Sequence, residues 1–236
     1  MEINSEETLA HVARSRPAAV RVFESFGLDY CCKGRRSVAR ACEQSGIDLT
    51  AVMDALRATD PGPDLDWGHM GVVELVDAIE ATHHAYLHTE LVRLSVLAEK
   101  VSAKHATDHP ELVDVRRTFE ELCSDLSPHL EKEERVLFPM IRMMAAETGG
   151  ATAFGASLDA PISVMMLEHD QAGELLSRLR MLTAGYETPA NGCASYRALY
   201  DGLAELECDT HLHIHRENNV LFPAVVGLES LASTRE

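Results

Sequence analysis

Histidine and glutamate recur in this chain at a spacing suited to holding metal ions. The run His129-Leu-Glu-Lys-Glu133-Glu-Arg-Val-Leu137-Phe138-Pro139 is answered by His213-Ile-His-Arg-Glu217-Asn-Asn-Val-Leu221-Phe222-Pro223. In each copy a histidine precedes a glutamate by four residues, and Leu-Phe-Pro follows at the same distance. Residues four apart share one face of a helix, so each copy offers an imidazole and a carboxylate together. Two lone histidines extend the pattern. His84 and His169 are 85 residues apart (169 − 84), and His129 and His213 are 84 apart (213 − 129). Leucines follow each lone histidine at +7 and +10: Leu91 and Leu94, then Leu176 and Leu179. The chain therefore writes twice a helix pair that carries one lone histidine and then His-x-x-x-Glu. Such ligands, projecting inward from four helices, are the metal chemistry of a helical bundle.

Four histidines and two glutamates suit a pair of metals better than one. If each glutamate bridges, each metal receives two imidazoles and two carboxylate oxygens. An oxo or hydroxo bridge then brings each to about five bonds, and iron with mixed N and O donors takes about six. The expected cofactor is two non-haem irons with an oxo or hydroxo bridge, leaving room for a small molecule. Zinc would close a structural site with four ligands, often thiolates, and none of the cysteines has that spacing. The remaining histidines (His11, His69, His83, His88, His105, His109, His211 and His215) read as satisfied core or surface residues. His211 and His215 flank His213 at i±2 and point away from it. The Leu-Phe-Pro tails read as core and helix-end packing. Glu168 adjoins His169 and is a candidate catalytic group, able to orient a ligand or move protons, against the plainer reading of an exposed helix charge.

A second constellation is Cys31-Cys32, followed by Lys33, Arg35 and Arg36 in an otherwise acidic chain. Neighbouring cations lower a thiol pKa. Adjacent cysteines form a strained, easily reduced disulfide, so the pair is a catalytic or redox candidate. The alternative is two buried small hydrophobes. Cys42, Cys123, Cys193 and Cys208 read as core.

These residues need helices to position them. Apolar residues recur at helical spacing (Val72, Leu75, Val76, Ile79; Leu87, Leu91, Leu94), and alternating strand-like runs are nearly absent. Pro61, Gly62 and Pro63 mark a linker at 59–67. Before it, 1–58 reads as a small domain of short helices, with Gly27 as a helix C-cap and similar breaks at Gly34 and Gly46. After it, four long helices are expected over about 68–104, 110–147, 161–185 and 193–227, followed by a tail at 228–236. Pro128 should kink the second helix or mark a break. The fold class expected is all-α, a small helical domain plus a four-helix bundle.

Bulk properties exclude some classes. A net charge of −17 repels a phosphate backbone and an anionic membrane surface, so neither is an expected partner. No apolar run reaches the length of a membrane span, and the start reads as lacking a secretory signal. Six cysteines in 236 residues are not a disulfide framework, so a reduced, cytoplasmic protein is expected. The sequence leaves the oligomeric state open, a homodimer included.

Residues 68–227 resemble a hemerythrin-like domain. The runs Ser127-Pro-His-Leu-Glu-Lys-Glu-Glu-Arg-Val-Leu-Phe-Pro-Met, Glu168-His-Asp-Gln-Ala-Gly-Glu174 and Glu217-Asn-Asn-Val-Leu-Phe-Pro223 resemble the repair-of-iron-centres family. Asp29-Tyr-Cys-Cys-Lys-Gly34 matches that family's other hallmark. The resemblance implies a non-haem di-iron centre and a stress-response role, repairing iron–sulfur clusters damaged by nitric oxide or oxidants. It puts the ligands at His84, His129, Glu133, His169, His213 and Glu217, the six that spacing selects. Oxygen-carrying hemerythrins supply five histidines, so four argue against reversible oxygen carriage. Three activities stay open: reduction of nitric oxide to nitrous oxide, which would make the chain an enzyme; donation of iron to damaged clusters; and non-enzymatic sensing of iron, oxygen or nitric oxide. The partners implied are nitric oxide, oxygen species and iron–sulfur client proteins.

Overall fold

Thr8, Ser37 and Asp48 are N-cap residues by type, and each accepts a free backbone N–H at the start of a short helix. His11 N donates to Thr8 Oγ1 (3.2 Å), Arg40 N to Ser37 Oγ (3.2 Å) and Thr50 N to Asp48 Oδ1 (2.9 Å). They begin α1 (Leu9–Ser15), α3 (Val38–Ser45) and α4 (Leu49–Ala58), with α2 (Ala19–Phe26) between. Gly27 and Gly46 end α2 and α3 at φ 65° and 66°, the glycine caps expected. Gly34 has a different reason. A Cβ there would lie 2.3 Å from the Tyr30 carbonyl oxygen and 2.8 Å from Ala10 Cβ. The missing side chain lets the loop carrying Cys31 and Cys32 pack on α1, where Ala10 N donates to Gly34 O (2.9 Å).

The computed structural model describes residues 3–59, 67–146 and 157–233, and among them there is no strand, as an all-α chain requires. Most of the expected linker (60–66), the connection at 147–156 and the last residues of the tail (234–236) lie outside the described residues. None of the described helices is long and apolar enough to cross a membrane.

Four long helical paths follow the small N-terminal unit. The first is α5 (Val72–Ile79), a π-helical turn at Glu80–His84, and α6 (Ala85–His105). The second is α7 (Glu111–Lys132), a π turn at Glu133–Leu137, and α8 (Phe138–Ala146). The third is α9 (Asp159–Leu182). The fourth is α10 (Ala194–Arg216), a π turn at Glu217–Leu221, and α11 (Phe222–Ser233), which runs past Gly227.

Proline corrects two expectations. Pro128 does not break α7, which is continuous across it. Nor do the Leu-Phe-Pro tails end helices, because Pro139 and Pro223 lie one residue inside α8 and α11. A proline within a helix has no N–H for the carbonyl four residues back, and its ring crowds that carbonyl. Those carbonyls belong to Arg135 and Asn219, and in both copies the turn containing them widens into a π turn. Such turns concentrate at functional sites, and each of these begins on a glutamate of the repeated phrase. The third π turn ends on His84 without a following proline; there Thr82 Oγ1 donates to the Ala78 carbonyl (2.7 Å).

The apolar core falls into three clusters. One, around Leu87, Leu94, Phe119, Leu130, Leu176 and Leu203, fills one end of the bundle. A second, around Leu75, Ile79, Phe138, Ile162, Leu221 and Phe222, fills the other. His84, His169 and His213 fall between the two along their helical paths, and His129 stands beside Leu130, the last residue of the first cluster on its path, so the polar residues form a layer where the two apolar plugs meet. The third cluster is the core of the N-terminal unit and includes Ile214 of α10, which fixes that unit to the bundle.

Candidate metal centre

The six residues selected by spacing lie together, all at or below 2 % exposure. They form two groups whose donor atoms lie within 4.8 Å of one another: His84, Glu133, His213 and Glu217, and His129, Glu133, His169 and Glu217. Each group takes one histidine from each half of the repeat and shares both glutamates. Exchanging the halves (84 with 169, 129 with 213) exchanges the groups, as the internal two-fold of the sequence requires. Glu217 reaches both, with Oε1 3.0 Å from His213 Nε2 and Oε2 3.0 Å from His169 Nε2. Glu133 Oε2 stands 3.3 Å from His129 Nε2 and 3.5 Å from His84 Nε2.

The outer nitrogens of three rings are held by oxygen acceptors. His84 Nδ1 donates to Glu134 Oε1 (3.0 Å), His129 Nδ1 to Glu168 Oε2 (2.8 Å) and His169 Nδ1 to Asn218 Oδ1 (2.9 Å). That leaves Nε2 lone pairs aimed inward. His129 and His169 turn them on each other at 3.1 Å, and His84 aims its own at His213 Nε2 (3.2 Å), a ring whose Nδ1 is buried without a partner. Facing lone pairs repel unless a proton or a cation lies between them. Meanwhile both oxygens of Glu133 and of Glu217 are buried without a hydrogen-bond partner, an arrangement that is costly unless a cation satisfies them. Nitrogen donors about 2.1 Å from one ion and at right angles to each other stand about 3.0 Å apart. The donor set and its spacing thus fit a pair of metal ions.

Burial and the close approach of like charges perturb the titration of this layer. Burial and the neighbouring Glu217 carboxylate push Glu133 above its ordinary range. Burial holds His213 down to about 3. Burial also opposes charge on His129, but Glu133 outweighs it and raises that ring to about 9.

Glu168 is no idle helix charge. It binds His129 Nδ1 and the Lys132 ammonium, and these partners outweigh the effect of its burial and hold it below the usual carboxylate range. Glu134 plays the matching part for His84 and also binds exposed His88 (2.7 Å). Sequence reasoning missed Glu134 and Asn218, although each directly follows a singled-out glutamate. It also missed what Phe138 and Phe222 do. Their rings stack on His84 (5.3 Å) and His169 (6.1 Å), so the Leu-Phe-Pro tails support the site as well as the core. His83 pairs with Asp209 (2.8 Å) and Arg216, and His215 turns to Tyr30, so neither joins the six.

Cys31 and Cys32 lie outside this layer but against it. Cys32 Sγ is 3.7 Å from the His169 carbonyl oxygen, and Asn219 Nδ2 donates to the Cys31 carbonyl (3.0 Å). Both are free thiols, 3.7 Å apart. The expected lowering of the thiol pKa by the basic residues does not hold for Cys31. Its hydrogen bond with Cys32, then burial and the Asp29 carboxylate, push it well above the ordinary thiol value. Cys193, expected in the core, is half-buried and packs against it from the N-cap of α10, with His105 Nε2 3.2 Å from its sulfur.

The bundle and its His/Glu layer define the class, a hemerythrin-type domain: residues 75–225 match the Hemerythrin HHE cation binding domain. Residues 5–60 match a Domain of Unknown function (DUF542). The "Iron-sulfur cluster repair protein YtfE" of Edwardsiella ictaluri is 36 % identical over 224 residues, covering 94 % of this chain and 97 % of that protein. The protein of that name from Escherichia coli O157:H7 is 34 % identical over 225 residues, covering 95 % and 98 %. A Haemophilus influenzae relative named "Probable iron-sulfur cluster repair protein" is 34 % identical over 227 residues, covering 94 % and 98 %. With both domains in this order and relatives matching end to end, the chain belongs to the repair-of-iron-centres family.

Proposed function

We propose that this chain is a non-haem di-iron protein that serves the repair of iron–sulfur clusters damaged by nitrosative or oxidative stress. The observation that carries the reading is the pair of buried four-residue groups sharing Glu133 and Glu217. The names of its relatives supply the biological role. His84 and His213 would hold one iron, His129 and His169 the other, and the two glutamates would bridge, with an oxo or hydroxo group between. A ferrous pair bound there would supply two electrons and adjacent open positions for a small molecule.

The protein's own groups prepare that chemistry. Glu134 and Glu168 hold His84 and His129 by Nδ1, fixing ring orientation and keeping Nε2 free as a donor. Phe138 and Phe222 cover two of the rings and exclude water. Exposed His88 and Lys132 reach the same two carboxylates from the surface, which gives each a contact through which a proton can arrive.

Burial of all six residues favours reduction of nitric oxide, because a small neutral gas enters more readily than a cation leaves. Two nitric oxide molecules, two electrons and two protons give nitrous oxide and water. Single-turnover gas analysis of the reduced protein with nitric oxide tests this: nitrous oxide is expected, and its absence removes the reductase activity. Iron donation is the second reading, favoured by the thiols that lie beside His169. A non-enzymatic sensor of iron, oxygen or nitric oxide would give a conformational response and no turnover in the same experiment. Free thiols throughout accord with a reducing, cytoplasmic setting.

A further inference from the structure

We propose that Asp29, Cys31 and Cys32 form a second metal site, for a thiophilic divalent cation such as Fe(II) or Zn(II), with its fourth position open to the cleft between the N-terminal unit and the bundle. The site does not require metal in the bundle layer, so it stands apart from the function proposed above.

The donor edges already have the right lengths. Two thiolates about 2.3 Å from a tetrahedral cation stand about 3.8 Å apart, and a thiolate and a carboxylate oxygen about 3.5 Å apart. Here the two sulfurs are 3.7 Å apart, and Cys31 Sγ is 3.4 Å from Asp29 Oδ1. Adjacent side chains ordinarily diverge. These converge because the chain bends just after Tyr30, and the backbone N–H groups of Cys32 (2.9 Å) and Lys33 (3.2 Å) donate to Asp29 Oδ1. The carboxylate is thereby fixed beside both sulfurs before any cation arrives. The close approach of Gly34 to Tyr30 and Ala10 holds the loop in this shape.

The surroundings suit a cation with one exchangeable ligand. The sulfurs open on a cavity of about 460 Å³ that Asp170 and Glu174 also line. That volume admits water or the thiolate of another protein as the fourth ligand. The same observations disfavour a dithiol that works by disulfide exchange. A buried thiol that donates to a carboxylate and faces a second sulfur is a poor source of free thiolate. A divalent cation removes that obstacle, because it displaces both S–H protons to solvent as the two metal–sulfur bonds form. Neither sulfur is oxidised or reduced in the step.

The test is a Co(II) titration of the intact, iron-loaded protein under anaerobic conditions. About one equivalent should bind with thiolate-to-cobalt charge-transfer absorption and intense tetrahedral d–d bands, releasing about two protons. The bundle layer contains no thiolate, and the double serine variant separates the cysteine loop from the other free thiols, Cys193 beside His105 among them. It should persist in Glu133→Gln, whatever becomes of the iron. It should vanish in Cys31→Ser/Cys32→Ser, and Asp29→Asn should weaken binding by at least about tenfold, with circular dichroism confirming that all variants keep their helices. Absence of a thiolate charge-transfer band in the parent protein would overturn the proposal, as would a band surviving in the double serine variant.

Discussion

Replacing Arg180 should loosen the seam between the N-terminal unit and the bundle by a predictable amount. Glu207 of α10 is 2 % exposed, and its carboxylate is met by Arg180 of α9. Nε donates to Oε1 at 3.1 Å, and Nη2 stands 2.6 Å from Oε2. The same guanidinium lies 5.4 Å from the Tyr186 ring centre and 3.8 Å from Glu24 of the N-terminal unit. Arg180→Met leaves a buried carboxylate without its cation, which costs about 3–5 kcal/mol in dry surroundings. The Arg180 side chain is 39 % exposed, so solvent screens the pair and the lower end, about 3 kcal/mol, applies. In a chain of this size that is a fall of about 6–12 °C in melting temperature. Thermal and urea unfolding followed by circular dichroism read it directly. Arg180→Met/Glu207→Leu, which removes both charges, should regain most of the loss. A single variant within about 1 kcal/mol of the parent, or a double variant no better than the single, would show that Arg180 does not hold the buried Glu207 carboxylate.

Other consequences are equally specific. His211 binds Glu24 at 2.8 Å, and although burial opposes its charge, that bond and the Glu24 carboxylate raise its pKa. Its contribution is therefore complete below the unfolded-state value of about 6.5 and is lost as pH rises through the higher folded value. His211→Gln should cost about 1 kcal/mol at pH 6 and progressively less in alkaline buffer; a cost that grows with pH contradicts this. Gly34→Ala should displace the cysteine loop, because its Cβ would meet Tyr30 O at 2.3 Å. Faster alkylation of Cys31 is the readout, and an unchanged rate would count against the packing argument. Phe138→Ala opens a cavity over His84 and should destabilise by about 3–5 kcal/mol. It should also lower iron retention on dialysis, whereas Phe138→Leu should keep most of both; equal retention in all three proteins would remove the support assigned to this ring.

How much of this was legible in the sequence follows from which signals are periodic. The repeat at 84 and 85 residues fixed which four histidines and two glutamates would meet, because ligand geometry needs helical spacing and the spacing is written twice. The four long helices followed from the same periodicity. The π turns at Glu133 and Glu217 were not foreseen. Proline reads as a helix breaker, and only tertiary packing of Phe138 and Phe222 shows that the helix widens and continues. Glu134 and Asn218 were hidden in plain view, because a residue next to a ligand ordinarily faces away; the widened turns bring these two back to neighbouring rings. The thiols show the opposite failure. Lys33, Arg35 and Arg36 are close to Cys31 in sequence, yet it is Cys32, burial and Asp29 that act on its thiol, and they reverse the expected effect.

Anomalous diffraction at the iron edge from crystals of the iron-loaded protein reads the identity, number and ligands of the metals together. About two iron peaks per chain are expected, one between His84 and His213 and one between His129 and His169, both in contact with Glu133 and Glu217. A single peak, or iron held by residues outside these six, would contradict the di-iron assignment.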